Sequence, residues 1–309
     1  MLCWGRLNNW FPGLHSRTMT ASIQEAAEAI RAADALLITA GAGMGVDSGL
    51  PDFRGKEGFW KAYPAVAQLG LSFAEMANPR WFEREPQLAW AFYGHRLNLY
   101  RRTIPHDGFT KLLAWAASKP EGYFVFTSNV DGHFQKAGFD PDRVVECHGS
   151  IHHFQCAHGG KRLCEASIWD AAEEQVTVEE TAFRAANPLP RCRHCGGLAR
   201  PNIMMFGDFS WIPERSDGQY ARFDQWLAAL EKKSARLTVV ELGAGTAIPT
   251  VRHTSESMAE RLLGNLIRIN PQEAEVPAKM GARAFSLAAG APAGIQQLAE
   301  ARPLPGVFP

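Results

Sequence analysis

This chain has no excess charge of either sign: 32 Lys and Arg balance 32 Asp and Glu, a formal net charge of zero over 309 residues. Without an electrostatic surplus, general binding to nucleic acid or to an anionic membrane surface is not expected. Nor does any apolar run reach the ~18–20 residues that span a bilayer. Residues 1–20 carry Trp4, Trp10 and Phe11 but no continuous apolar stretch and no small-residue cleavage site. A secretory signal is therefore not expected there, and the segment reads as an extension upstream of a natural start at Met19. Internal repeats and low-complexity tracts are absent. Cysteine is scarce, with six in all, and four of these fall between positions 156 and 195. A chain long enough to bury a large core has little need of a disulfide scaffold. The clustering points instead to a bound metal in a reducing, cytoplasmic setting.

What is present fits a globular α/β protein, with 46% apolar and 21% charged residues. Residues 21–34 have helical spacing of Ile23, Ala26, Ala27 and Ile30 and lead into a buried strand at 35–40. Pro64, Pro79 and Pro86 divide an aromatic-rich helical stretch, 59–102, into short helices. A helix at 107–118 precedes strands at 123–127 and 143–147. Further strands are expected at 203–206, 237–242, 266–269 and 282–285, with helices near 218–233 and 254–263 between them. Alternation of this kind predicts a doubly wound parallel Rossmann-like sheet. The expected division is an extension at 1–20 and a nucleotide-binding domain from 21–55, 101–151 and 201–309. A smaller inserted module would combine helices from 56–100 with a metal-binding part from 152–200.

Strand 35–40 runs into Gly41-Ala42-Gly43-Met44-Gly45, where missing side chains let backbone amides approach an anion. A strand ending in such a turn is where open α/β sheets bind a nucleotide pyrophosphate. Pro51-Asp52-Phe53-Arg54-Gly55 follows, placing an acid, an aromatic plate and a guanidinium beside that turn. Ser128, Asn129 and Asp131 come directly after strand 123–127, at the edge where ligands bind. They suit ribose hydroxyls and a carboxamide, or form an Asx-rich turn. His148 ends the next strand beside Gly149 and is a candidate proton carrier. His152, His153 and His158 crowd nearby, and the strand-end position favours His148. Gly243-Ala244-Gly245-Thr246 supplies a second glycine turn for phosphate or ribose, and Asn270 ends a further strand toward an adenosine ribose.

The cysteines run Cys156-x7-Cys164, a 27-residue gap, then Cys192-x2-Cys195. The second pair has zinc-knuckle form, and a four-cysteine tetrahedral zinc is the natural completion, structural because its coordination is closed. His158 is an alternative to Cys164 as the second ligand.

Taken together, these motifs resemble the sirtuins, the NAD-dependent protein deacylases, from about residue 21 to 300. Gly41-Ala42-Gly43 through Pro51-Asp52-Phe53-Arg54-Gly55 is similar to the family's nicotinamide and phosphate loop, and Thr127-Ser128-Asn129-Val130-Asp131-Gly132 to its Thr-Gln-Asn-Ile-Asp-Gly. His148-Gly149 resembles the catalytic His-Gly, Phe206-Gly207-Asp208 the Phe-Gly-Glu substrate loop, and Ile269-Asn270 the ribose contact. The resemblance implies NAD as a consumed co-substrate, with nicotinamide near Phe53, Asn129 and Asp131 and with His148 as general base. The partner would be an acylated lysine of a protein, its main chain pairing near Phe206. The products would be lysine, nicotinamide and O-acyl-ADP-ribose. Tyr93 and Arg96 match the Tyr-x2-Arg of deacylases that prefer succinyl or malonyl groups. In isolation the pair also reads as the rim of an amphipathic helix.

The chain departs from the family pattern at Ser128, at Gly45, in the 243–246 turn, in Asp208-Phe209-Ser210-Trp211 and in the wide first cysteine pair. These departures resemble bacterial branches, including ones linked to ADP-ribosylation. Protein ADP-ribosylation, NAD hydrolysis and non-catalytic sensing of NAD or ADP-ribose are the competing functions.

Overall fold

A computed structural model describes residues 13–51, 55–158, 164 and 167–301, with the side chains of 13–21 and 55–57 outside that description. Its strands are β1 (Ala35–Ala40), β2 (Tyr123–Thr127), β3 (Val144–Glu146), β4 (Gly149–Cys156), β5 (Ile168–Asp170), β6 (Val178–Glu179), β7 (Arg184–Ala185), β8 (Ala199–Ile203), β9 (Leu237–Leu242), β10 (Asn265–Ile269) and β11 (Ala284–Leu287). Six of them form one sheet in the order β11-β10-β9-β1-β2-β3, every pair parallel.

A parallel sheet covered on both faces needs strands that are apolar on both faces. β1 shows how this works. Leu36, Ile38 and Ala40 point into the core under the Gly13–Ala32, Asp107–Ala117 and Ala291–Ala301 helices. Ala35 and Leu37 face the opposite core, built on the Glu214–Lys233 and Thr250–Arg261 helices. Fully burying a Leu or Ile of this kind contributes about 1.5–3 kcal/mol, so continuous apolar runs are strongly held inside.

A third core lies apart from the sheet and joins the helices of 55–102 to β4 and β8. The prolines act there as helix starters: Pro64 and Pro86 occupy first-turn positions, where the missing N–H has no partner to lose. β4 is the centre of a second, antiparallel sheet, β5-β4-β8, and β6 and β7 form a short hairpin pair.

The expected strand at 203–206 is displaced. β8 covers Ala199–Ile203 and joins the antiparallel sheet, whereas Met204 and Phe206 are exposed beyond its end. β8 and β4 carry buried polar residues, which hide them from a search for apolar runs. Asn202 donates to the Gln155 side chain at 2.9 Å and to the Ile212 carbonyl at 2.9 Å. Helix bounds also differ: the first helix begins at Gly13, not at 21, and the two late helices begin at Glu214 and Thr250.

Candidate active site

The carboxyl ends of β1, β2, β3 and β9 surround a cavity of about 570 Å³. The first glycine turn supplies Gly41, Ala42 and Gly43, the segment after β2 supplies Ser128, Asn129 and Asp131, and His148 follows β3. Gly243 and Gly245 close the far side, and Tyr93, Arg96 and Phe206 enter from the other core. Twelve residues read from the sequence thus share one wall. Asp52, Phe53 and Arg54 lie outside the described residues.

The two glycine turns pack backbone to backbone. A Cβ on Gly41 would stand 2.7 Å from the Gly243 carbonyl oxygen, and one on Gly43 2.7 Å from the Gly243 Cα. Gly243 itself has φ of +58°, in the left-handed region that favours glycine. So these glycines serve first to let two strand ends touch. Asn129 ties the neighbouring strand end in, its side-chain amide donating to the Gly41 carbonyl at 2.9 Å. Asp131 accepts from the His133 amide at 2.9 Å.

His148 sits where the chain passes from the parallel sheet to β4. Its carbonyl accepts from the Met204 amide at 3.0 Å. A Cβ at Gly149, where φ is +78°, would fall 2.1 Å from the Asn202 carbonyl oxygen. Only glycine lets β4 and β8 come this close beside the histidine. Burial lowers the His148 pKa, and a backbone hydrogen bond with Ser128 opposes the shift. The neutral imidazole, the form that accepts a proton, is favoured.

Arg96 is buried among aromatic rings. Its guanidinium donates to the Tyr100 hydroxyl at 3.0 and 2.9 Å and lies over the Phe73, Phe92, Tyr93 and Tyr100 rings. Burial raises the Tyr93 pKa, keeping it a neutral phenol. Its hydroxyl is buried with no hydrogen-bond partner among the described residues, although it borders the cavity. Tyr100 also lines the cavity and was missed from the sequence, although it lies one helical turn beyond Arg96.

The loop after β8 is anchored from below. Asp208 accepts from the Ser210 amide at 3.0 Å and the Met205 amide at 3.3 Å. It faces Arg200, with both side chains fully buried and Nη2 2.8 Å from Oδ2. The approach makes an ion pair, although Nη2 is off the line of a good hydrogen bond. Phe206 rides above this anchor, its ring edge-on to Phe73 at 6.2 Å.

Two predicted contacts are displaced from the cavity wall. Asn270 is buried and directs its amide to the Ala244 carbonyl at 2.9 Å. Thr246 gives its amide and hydroxyl to Glu273. Both therefore shape the second turn from behind, because neighbouring backbone and a carboxylate take up their polar groups.

Away from the cavity, Cys156, Cys164, Cys192 and Cys195 place all four Sγ atoms within 4.8 Å of one another. Sγ–Sγ separations of 3.7 Å (Cys156–Cys195) and 3.5 Å (Cys164–Cys192) approach the ~3.8 Å edge of a tetrahedron with ~2.3 Å Zn–S bonds. This donor set fits zinc. Cys164 rather than His158 completes the cluster. For Cys192, burial would raise the thiol pKa, but the Cys195 and His194 backbone amides outweigh it and bring it down to about 7.

Comparison with known proteins agrees with this geometry. The model of the Sir2 family matches residues 41–225. The chain belongs to the Sir2 family. Among curated relatives, an NAD-dependent protein deacylase of Aquifex aeolicus is 31% identical over 172 residues, 54% of this chain and 59% of that protein. The mitochondrial NAD-dependent protein deacylase sirtuin-5 of Danio rerio is 31% identical over 183 residues, 56% of this chain and 57% of that protein. The alignments thus span under two thirds of these relatives' length. For NAD-dependent protein deacylase 2 of Pseudomonas syringae, 30% identical, the share is 69%. In fold, this Sir2-family chain is similar to a mutant Sir2 homologue solved with ADP-ribose, at TM-score 0.62 and 24% identity, over 90% of this chain and 94% of that one. Among the described residues, no helix is long and apolar enough to cross a membrane.

Proposed function

We propose that this chain is an NAD-dependent protein-lysine deacylase that releases nicotinamide and O-acyl-ADP-ribose. The observation that carries the reading is the convergence of His148, Asn129 and Asp131 with the first glycine turn on one cavity. In this reading Gly41, Ala42 and Gly43 receive the pyrophosphate. Ser128, Asn129 and Asp131 bound the nicotinamide and its ribose, and the sequence resemblance assigns Asp52, Phe53 and Arg54 to the same co-substrate. Nicotinamide departs as the acyl carbonyl oxygen attacks the anomeric carbon, and His148 takes the proton from a ribose hydroxyl. A buried, neutral imidazole suits that task.

The acyl-lysine enters beside Phe206 and its main chain pairs with the neighbouring loop as an added strand. Tyr93 and Arg96 face the acyl group, where a carboxylate would gain a charge-assisted pair. That favours succinyl or malonyl over acetyl chains. Cys156, Cys164, Cys192 and Cys195 hold a structural zinc that ties β4 to the segment before β8 and takes no part in the chemistry. The parallel sheet is read as the NAD-binding domain and the third core as the small domain. Four cysteines gathered as a metal site are read as belonging to a reducing, cytoplasmic setting.

The test is to incubate the protein with NAD and acetyl-, succinyl- or unmodified lysine peptide, following products by mass spectrometry. Nicotinamide together with O-acyl-ADP-ribose, formed only with acylated peptide, is the expected result. Nicotinamide without peptide would point to hydrolysis, a mass shift on protein to ADP-ribosyl transfer, and no turnover to a sensor.

A further inference from the structure

Just past His148, β4 leaves its partner strand. Gly149 and Ser150 pair with Ile203 and Asn202, and pairing resumes at Phe154 opposite Pro201, so four steps along β4 match one along β8. Ile151, His152 and His153 fill the interval with no register partner on β8. A bulge beside a site bends the strand and re-aims its side chains. Ser150 Oγ accepts from the His152 amide at 3.3 Å and helps to shape this one.

The bulged residues reach the segment after β2 instead. The Ile151 amide donates to the Val130 carbonyl at 3.0 Å, and His152 Nε2 lies 2.8 Å from the Asp131 carbonyl oxygen. A carbonyl only accepts, so Nε2 carries the proton and donates. The imidazole lies against Gly132: a Cβ there would stand 2.7 Å from His152 Cδ2 and 3.0 Å from Nε2. Gly132 also has φ of +69°, so the close approach requires glycine. His153 stands opposite Asp170 of β5, which leaves His152 as the bulge histidine that meets the site wall.

Asp131 is thereby held through its main chain by His152 and through Oδ1 by the His133 amide at 2.9 Å. Its other oxygen lies on the side of the first glycine turn, where a Cβ on Gly45 would stand 3.6 Å from Oδ2. Asp131 is buried yet borders the cavity. So short a side chain keeps its direction only as well as its main chain is kept. Displacement by about 1 Å at a reacting centre can cost roughly a hundredfold in rate.

Resting on the deacylase reading above, we infer that His152 is a positioning residue, whose hydrogen bond sets the Asp131 main chain and, through it, the carboxylate that meets nicotinamide. It touches no reacting atom. Its loss is felt where nicotinamide is held, in NAD cleavage and in the recapture of nicotinamide, and much less in acyl-peptide binding.

The test measures nicotinamide inhibition and the KM values for NAD and acyl-peptide on wild type, His152→Leu and His152→Gln, with zinc content and melting temperature alongside. His152→Leu, an apolar side chain without a donor, is expected to raise the nicotinamide inhibition constant and the KM for NAD by at least about tenfold, with the acyl-peptide KM within about twofold. His152→Gln, whose amide can donate to the same carbonyl, should bring both back to within about threefold of wild type. Wild-type constants in His152→Leu overturn the inference and leave the deacylase reading standing. Equal impairment of the two variants, with matching losses of zinc or melting temperature, marks the contact as support for the fold and also overturns it. A wild type that releases no nicotinamide with acylated peptide overturns the deacylase reading, and the inference with it.

Discussion

Asn129 holds the carbonyl of Gly41 at 2.9 Å, so the end of β2 fixes the turn that follows β1. The bond uses an amide proton that a carboxylate lacks. Asn129→Asp is therefore expected to set two acceptors against each other, at about 1–3 kcal/mol of stability, and to reduce turnover strongly. Urea unfolding and nicotinamide release measure the two effects. Wild-type values in both would remove Asn129 from the site.

His148→Ala is expected to abolish acyl removal while largely sparing NAD binding. Because burial lowers the His148 pKa, the acid limb of kcat/KM should fall below histidine's ordinary value of about 6.5. Unchanged turnover in the variant, or an acid limb above that value, would contradict the assigned base.

The four-cysteine cluster predicts about one zinc per chain. Elemental analysis should find it in the purified protein and lose it when Cys192 and Cys195 are replaced together. A stable, metal-free native protein would refute the assignment.

Arg96 and Tyr93 predict a split between acyl groups. Arg96→Gln should lower succinyl removal relative to acetyl removal by at least about tenfold, the scale of one lost charge-assisted bond. Tyr93→Phe should act in the same direction, more weakly. Parallel losses on both substrates would mark the pair as packing alone.

Acid should destabilise the fold through its histidines. Burial lowers the pKa of His95, His106, His133, His148 and His153, the last to about 4. Between the lowered values and about 6.5 the unfolded chain binds more protons, so stability falls as pH drops through that window. Urea midpoints at pH 7, 5.5 and 4.5 should decline, and His153→Gln should flatten the decline. A midpoint constant from pH 7 to 4.5 would exclude this.

The parallel sheet was legible because β1, β2 and β9 are predominantly apolar runs, a pattern that needs no knowledge of partners. β4 and β8 were hidden because Gln155, Arg200 and Asn202 are buried polar residues, Gln155 and Asn202 paired with each other across the sheet and Arg200 with Asp208 on the loop that follows β8. The same cause displaced the reading of Thr246: its partner Glu273 lies on a loop that only the folded sheet brings near. The four-cysteine set was legible from the clustering alone, and the structure sets aside the alternative, His158. In this molecule local signals marked strand ends, and the polar contacts between distant segments needed the structure.

β1 pairs with β2 on one side and with β9 on the other, Ala35 opposite Leu237. The ribosome must therefore add about 200 residues before that second edge is covered, roughly 10–40 s at ordinary elongation rates. Throughout this interval Gly41 and Gly43 have no Gly243 to pack against. A nascent chain stopped just before β9 would carry the whole matched family segment with its central strand open, exposed to pairing with another chain.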